Sequence, residues 1–268
     1  MASPTWRLAL FSLSLAVVLW VWLLAGALFL LRWSAIPRPE PPPKLLFPYG
    51  EMRVGVDASF PPFALATGDE LFGLDIDLGR ALAERIGVSI RFVNMGYDGL
   101  YDSLKADQVD VVISALLVDP SRTGDVRYTR HYFNNGLVLV STGKAPLQSW
   151  YDLPGRIVAY EYGSEADQQV HTWMRQILPF DVQPYELPAY ALDAVRLSVA
   201  DAALVPATDA LLYLRQQADW EAEFQYVTDA WYAAAVRLDH VEMWAVLNEA
   251  LQEMDEDGTL GKILSRWL

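Results

Sequence analysis

The chain contains no cysteine and only three histidines among its 268 residues. Without cysteine it can form no disulfide, no thiolate metal site and no thiol nucleophile, and it offers no N-terminal cysteine for lipid attachment. The histidines, His131, His171 and His240, lie far apart in sequence, and none belongs to a ligand-spaced pair. The sequence therefore predicts no metal site, no cofactor and no histidine-based catalysis.

Common enzyme signatures are also missing, since there is no P-loop, no dinucleotide fingerprint and no Gly-x-Ser-x-Gly turn. The formal net charge is −14, and residues 1–50 carry four basic side chains against one acidic one, so the rest is more acidic still. An acidic body repels phosphate backbones, and nucleic acid is therefore not expected as a partner. Hydrophobic residues make up 53% of the chain, enough for a substantial core.

One long apolar run covers residues 8–31, which as a helix spans about 36 Å and can cross a hydrocarbon core of about 30 Å. An arginine and a tryptophan flank each end, as is typical of a membrane interface. We predict a transmembrane anchor here, behind a short tail of residues 1–7. A cleaved signal is the alternative, because Ala25-Gly26-Ala27 supplies a small-x-small site, but the apolar run continues past it.

Residues 32–50 form a predicted linker, in which five prolines within residues 37–43 favour an extended polyproline conformation. Beyond it, strand-like runs alternate with helix-like runs, which predicts parallel sheets with helices on both faces. The expected strands are 53–57, 89–93, 109–115, 156–160, 181–185 and 202–205. The expected helices are 75–87, 98–106, 164–178, 188–200, 240–255 and 260–268. Apolar runs at 137–140 and 233–238 are expected to cross between two α/β units, and two crossings make a hinge beside a cleft.

Five segments carry a resemblance to a known family: MRVGVDASFPPF, LFGLDIDLGRALAERIGV, YDGLYDSLKADQVDVVIS, DPSRTGDVRYT and LGKILSRWL. In this order and spacing they resemble bacterial extracellular solute-binding protein family 3, whose best-known members bind amino acids for import systems. The resemblance implies an α/β, two-lobed periplasmic-binding-protein-like fold of type II, with two crossover strands as hinge. It implies a solute-binding domain at 51–268, with lobe 1 at 51–137 and 234–268 and lobe 2 at 140–230.

The basic residues near the predicted span and the family resemblance favour opposite sides of the membrane for the domain. Three basic residues, Arg32, Arg38 and Lys44, follow the predicted span and by themselves favour a cytoplasmic body. The resemblance is to proteins that work outside the cytoplasmic membrane. We therefore expect a single-pass protein of the cell membrane whose domain lies on the extracytoplasmic side, in the periplasm or at the cell surface.

Several candidate site residues belong to the first lobe. Asp57 follows the first strand, where an open α/β sheet presents ligand-facing groups, although a turn or cap role is equally open. By resemblance, Phe60 and Tyr97 match two aromatic positions that sandwich the ligand's side chain; ordinary core aromatics are the alternative. Ser114 and Ala115 match a strand end that lines the cleft in relatives.

Arg122 is the residue from which we expect the main ligand contact. It follows Asp119-Pro120, a helix-start signal that holds its guanidinium on a short helix. By resemblance it grips the ligand's carboxylate through a two-pronged hydrogen-bonded pair, for which a planar fork is suited. A surface salt bridge is the alternative.

On the second lobe, Gly163-Ser164-Glu165 matches a family loop that presents backbone N–H groups to the same carboxylate. Ser164 can equally be a helix N-cap, with Asp167 in the reciprocal position of a capping box. Both roles can hold at once.

Two positions depart from the family pattern. Leu117 stands where amino-acid binders usually have threonine, and Pro206 stands where an aspartate usually pairs with the ligand's α-ammonium. Neither residue replaces the lost polar group. A compensating carboxylate could come from Asp209, Glu161 or Glu165. The retained arginine fits a carboxylate lacking a standard α-amine, whereas the additional acids fit a more cationic ligand, and the sequence leaves both open.

The sequence therefore predicts a non-enzymatic protein that closes two lobes around a small solute, expected to be an amino acid or another carboxylate. The partner would be a transporter permease or a sensor. One alternative is an enzyme on the same scaffold, since some relatives of this fold are dehydratases of cyclic carboxylic acids, with Asp57, Glu161 and Glu165 as acid and base. The other is a ligand-free domain kept for protein contacts.

Overall fold

In a computed structural model of the chain, the described residues are 20, 22–24, 26–27, 46–47, 50–68 and 70–268. The chain divides into a unit of residues 1–41 and a unit of residues 42–268, and all elements below belong to the second. The predicted anchor and linker lie mostly outside the described residues. Among those that are described, no helix is both long enough and apolar enough to span a bilayer, so the anchor stays a prediction.

The strands, in chain order, are β1 Glu51–Val56, β2 Ser59–Phe60, β3 Ala64–Thr67, β4 Glu70–Phe72, β5 Ser89–Asn94, β6 Val111–Val112, β7 Val126–Asn134, β8 Leu137–Thr142, β9 Ile157–Glu161, β10 Asp181–Tyr185, β11 Ala202–Pro206, β12 Ala222–Tyr226 and β13 Trp231–Arg237. The helices are α1 Leu74–Ile86, α2 Leu100–Lys105, α3 Glu165–Trp173, α4 Pro188–Arg196, α5 Ala207–Gln216, α6 Val241–Glu256 and α7 Thr259–Trp267. Single 3₁₀ turns cover Tyr97–Gly99, Pro120–Arg122 and Trp150–Asp152.

These strands form two five-stranded sheets, in the orders β5-β1-β6-β13-β7 and β10-β9-β11-β8-β12, with β2, β3 and β4 in a small third sheet. In each large sheet four strands point the same way and one strand, β13 in the first sheet and β8 in the second, runs antiparallel to its neighbours. The predicted parallel arrangement therefore misses one strand in each sheet, which is the strand by which the chain enters that sheet after a crossing. The α/β class and the two-lobed architecture are confirmed.

Helix α1 has the buried face that the spacing of its apolar residues predicts. Its residues Leu78, Leu82 and Ile86 are buried on one face, as the spacing predicts. The helix ends at Gly87, which has φ 78° and donates its N–H to the carbonyls of Ala83 and Glu84. A left-handed C-cap of this kind favours glycine.

The chain passes between the two large sheets at residues 135–136 and 227–230. The apolar runs expected to cross belong instead to β8 and β13 themselves, and the crossings are the short segments before them. The N–H of Asn135 donates to the carbonyl oxygen of Ala230 at 2.8 Å, which joins the two crossings. A side chain on Gly136 would overlap the carbonyl of Thr228, so this close approach requires glycine.

The side chain of Asn135 links the two lobes at this hinge. Its amide donates to the hydroxyl of Tyr232 on β13 at 2.9 Å. Its oxygen accepts hydrogen bonds from the backbone N–H and the hydroxyl of Thr208 on α5, at 2.9 and 2.7 Å.

A buried ion pair joins β1 to the start of β6. Nη2 of Arg53 lies 2.7 Å from Oδ1 of Asp110, and Oδ2 of Asp110 accepts the backbone N–H of Arg53 at 2.8 Å. Both side chains are almost fully buried, whereas Asp107, which also contacts Arg53, is half-exposed. This pairing joins the starts of β1 and β6, and the opposite ends of the two strands are joined by the hydrogen bond from the N–H of Asp57 to Oγ of Ser114.

Candidate functional site

A cavity of about 410 Å³ opens where residues of both lobes meet, a volume in the range of small-metabolite sites. Its lining comes from the ends of β1, β5, β6 and β11, from the start of α3, and from the hinge. The lining residues are Asp57, Ser59, Phe60, Tyr97, Ser114, Ala115, Leu117, Asn135, Leu137, Glu165, Pro206, Ala230 and Tyr232.

The structure brings six of the predicted site residues together in this lining: Asp57, Phe60, Tyr97, Ser114, Ala115 and Glu165. Both positions that depart from the family pattern, Leu117 and Pro206, also face the cavity. Arg122, Glu161 and Ser164 are not among the lining residues.

Asp57 organises the first-lobe wall. Its Oδ1 accepts hydrogen bonds from the N–H and the hydroxyl of Ser59, at 3.1 and 2.6 Å, and its Oδ2 accepts from the N–H of Tyr97 at 3.0 Å. The N–H of Asp57 in turn donates to Oγ of Ser114 at 2.9 Å. Asp57 therefore has the turn role that the sequence left open, and it also lines the cavity.

Two aromatic rings stand in the cavity wall with large open surfaces, since Phe60 is 49% exposed and Tyr97 is 43% exposed. Phe60 stacks at 5.6 Å on the buried ring of Phe63, which meets Tyr232 edge-on at 5.3 Å. The pKa of Tyr97 is raised by burial and lowered by a hydrogen bond from the backbone of Leu117. The ring of Phe60 is therefore supported by Phe63, and both Phe60 and Tyr97 keep surface open towards the cleft.

Asp75 lies beneath this wall, fully buried, and sequence reasoning missed it. Its carboxylate accepts the backbone N–H of Ala115 at 2.6 Å and the hydroxyl of Tyr132 at 2.8 Å. Burial raises the pKa of Asp75 to about 7, although both hydrogen bonds lower it. The signal available in the sequence was an acidic residue inside the apolar start of a helix, which is unusual at a buried position.

Arg122 is not among the residues that line the cavity. Its guanidinium carbon lies 4.8 Å from the centre of the Tyr101 ring, and Nη1 lies 3.9 Å from Oδ2 of Asp125. The predicted N-cap is confirmed, because the Asp119 side chain accepts the N–H of Ser121. The expected grip on a ligand carboxylate stays a prediction, and in this structure the guanidinium lies over the flat face of Tyr101, which attracts a cation.

The second-lobe loop also uses its donor internally. The N–H of Gly163 donates to Oδ2 of Asp167 at 2.8 Å, and Oγ of Ser164 accepts the N–H of Asp167 at 3.3 Å. Ser164 is thus an N-cap, one of the two roles that the sequence allowed. The carboxylate of Asp167 thus occupies one of the loop amides that were expected to face the ligand.

Further acidic groups stand behind the second-lobe wall. Burial and then the charge of Glu161 raise the pKa of Asp209, which follows Pro206 on α5. The charge of Asp209 also contributes to the raised pKa of Tyr232, for which burial is the main cause. Among the described residues, no group of three or more acidic or histidine side chains is arranged to hold a metal ion.

Two α/β lobes joined by a double crossing, with a metabolite-sized cleft between them, define a periplasmic-binding-protein-like fold. Residues 52–268 match the family described as bacterial extracellular solute-binding proteins, family 3, and the chain belongs to this family. The resemblance seen in the sequence is thereby confirmed.

Three similar proteins each cover more than four fifths of this chain. The ABC transporter arginine-binding protein 1 of Escherichia coli K12 is 28% identical over 225 residues, covering 81% of this chain and 90% of its own. The L-cystine solute receptor of Neisseria gonorrhoeae, in its unliganded open conformation, is 24% identical with a TM-score of 0.72, covering 84% and 94%. The ancestral amino acid-binding protein AncCDT-1, a precursor of cyclohexadienyl dehydratase, is 26% identical with a TM-score of 0.52, covering 84% and 98%.

Proposed function

We propose that this chain is an extracytoplasmic binding protein that closes its two lobes around a small solute of the amino-acid type. One observation carries the proposal: the cavity wall combines Asp57, Phe60 and Tyr97 of the first lobe with Glu165 and Pro206 of the second. A ligand that contacts both walls stabilises the closed arrangement over the open one. The arginine-binding relative supports an amino acid or a related compound as ligand.

Closure is tested with a pair of spin labels, which the cysteine-free chain allows without background. One label is placed on each lobe near the cleft, through Asp98→Cys and Tyr162→Cys, both at exposed positions. We expect the distance between the labels to shorten when arginine or another bound amino acid is added. A control pair within the first lobe, Asp98→Cys with Glu249→Cys, should keep its distance. An unchanged inter-lobe distance at saturating ligand would reject closure.

We propose delivery to a transporter permease as the purpose of binding, with sensing as the alternative. The name of the Escherichia coli relative, an ABC transporter binding protein, supports delivery. The dehydratase alternative draws only on the precursor relationship of AncCDT-1, which is itself named an amino acid-binding protein. Binding is therefore preferred over catalysis.

We also propose that residues 8–31 attach the protein to the membrane, on the length and flanking residues of that apolar run. The full chain should remain in the membrane pellet after alkaline carbonate extraction. Sequencing of its N-terminus should find the start of the chain. A mature N-terminus just after Ala27 would show instead that the segment is a cleaved signal.

A further inference from the structure

Four backbone N–H groups in the first-lobe wall of the cleft already donate to protein acceptors. Asp57 and Ser114 accept three of these N–H groups, and the buried Asp75 accepts a fourth. The pairs are Ser59 N–H with Asp57, Tyr97 N–H with Asp57, Asp57 N–H with Ser114, and Ala115 N–H with Asp75. A carboxylate that approaches these four groups meets amides that are already paired.

Arg122 and the loop at the start of α3 were expected to hold a carboxylate. Both contact other groups of the chain instead. Arg122 stacks over Tyr101, outside the cavity lining. On the second lobe, the N–H of Gly163 donates to Asp167, so the chain's own carboxylate already occupies one of the loop's amides.

The charges that do face the cavity are negative. Among the described lining residues, the charged ones are Asp57 on the first lobe and Glu165 on the second. The rings of Phe60 and Tyr97 present open faces beside them, and an aromatic face attracts a cation through its quadrupole. A carboxylate in this cleft would be desolvated next to like charges, whereas an ammonium or guanidinium would be paired.

We propose, building on the function proposed above, that this cleft selects organic cations through an ammonium or guanidinium group and does not require an α-carboxylate. The ligand class is an amine or guanidine in which the cationic group bridges Asp57 and Glu165 while the carbon chain lies against Phe60 and Tyr97. Leu117 and Pro206 fit this class, because the apolar surface they offer suits a carbon chain better than a zwitterionic head group.

The test is isothermal titration of the full chain in detergent with three compounds that share one guanidinium. Arginine carries an ammonium and a carboxylate as well, agmatine carries only the ammonium, and 4-guanidinobutyrate carries only the carboxylate. We expect agmatine to bind at least as tightly as arginine, and 4-guanidinobutyrate to bind at least about tenfold more weakly than agmatine. Arginine binding about tenfold more tightly than agmatine would overturn the inference.

Three variants sharpen the result. Glu165→Gln should weaken agmatine binding about tenfold by removing one of the two facing charges. Glu223→Gln is the matched control, since this exposed glutamate lies on β12 outside the lining, and it should bind agmatine as the parent chain does. Arg122→Ala should also leave agmatine and arginine affinity unchanged, and a tenfold loss of arginine affinity alone would restore the carboxylate grip.

A wider panel separates this inference from the proposed function. If neutral or acidic amino acids bind and the three guanidines do not, the cationic class is wrong while solute binding stands. If no compound in the panel binds or raises the melting temperature of the full chain, the proposed function falls and the inference falls with it.

Discussion

The carboxylate of Asp75 accepts the backbone N–H of Ala115 at 2.6 Å, so that a fully buried side chain holds the floor of the ligand cleft. Ala115 has φ 43°, a left-handed conformation that is uncommon for a residue with a side chain. The second oxygen of Asp75 accepts the hydroxyl of Tyr132 on β7. The shape of the cleft floor therefore depends on one carboxylate beneath it.

This carboxylate should make stability depend on pH. The pKa of Asp75 is raised to about 7 by burial, whereas an ordinary aspartate in the unfolded chain titrates near 4. Between these values the folded protein keeps a proton that the unfolded chain has released. Stability from this group is thus complete below about pH 4 and is lost as pH rises through 7, by at most about 1.4 kcal/mol per pH unit.

We expect Asp75→Asn to flatten the pH dependence of stability between pH 5 and pH 8, as measured by urea denaturation of the parent and variant at both values. Asp98→Asn, at an exposed position, serves as the control and should keep the parent's dependence. An Asp75→Asn variant with the full parental slope would contradict the assignment.

The buried pair of Arg53 and Asp110 should be costly to break. Asp110→Ala leaves a buried guanidinium without its main counter-charge, and we expect a loss of about 3–5 kcal/mol in the free energy of unfolding. Asp107→Ala removes a partner whose side chain is 46% exposed, and we expect a loss below about 1 kcal/mol. Equal losses in a denaturant titration would show that the two carboxylates do not differ in this way.

The hinge should depend on the missing side chain at residue 136. Gly136→Ala would force the crossing away from the carbonyl of Thr228, and we expect it to cost about 1–3 kcal/mol in the free energy of unfolding. Gly124→Ala is the control, because a side chain there meets nothing within 4 Å. Similar melting temperatures for the two variants would mean that the crossing tolerates the added methyl group.

The stacked ring of Phe60 should serve binding more than folding. Its side chain is half-exposed, so Phe60→Ala should change the melting temperature little. Agmatine affinity should fall at least about tenfold, because one aromatic face of the cleft is lost. Tyr190→Ala removes an exposed ring outside the cavity lining and should leave affinity intact. Titration calorimetry of both variants distinguishes the roles.

The regular elements were largely predictable, because they depend on local patterns. The helix expected at 75–87 is α1 at Leu74–Ile86, and the strand expected at 181–185 is β10 with the same bounds. The strand expected at 109–115 pairs only at Val111–Val112, because the chain turns there to meet Asp75 and Arg53. The apolar run alone predicted too long a strand, because the hydrogen-bond partners of this segment come from distant parts of the chain.

The location of the candidate site could be predicted from the sequence, but the contacts made by its side chains could not. Asp57, Phe60 and Tyr97 follow strand ends, which topology alone brings to one edge. Asn135, Leu137 and Tyr232 were missed because they belong to the hinge, which carries no motif in the sequence. The guanidinium of Arg122 lies over the ring of Tyr101, and the N–H of Gly163 donates to Asp167. The sequence does not reveal these contacts, because they form only when the chain folds.

Asn135 stands in the first crossing, borders the cavity, and holds Tyr232 of one lobe and Thr208 of the other with the two ends of a single amide. An amide of this size cannot lengthen, so any change in the angle between the lobes must either carry both partners with it or release one of them. A ligand that presses on this side chain therefore acts on the pivot itself. Under the proposed closure, contact with Asn135 and the angle between the lobes change together.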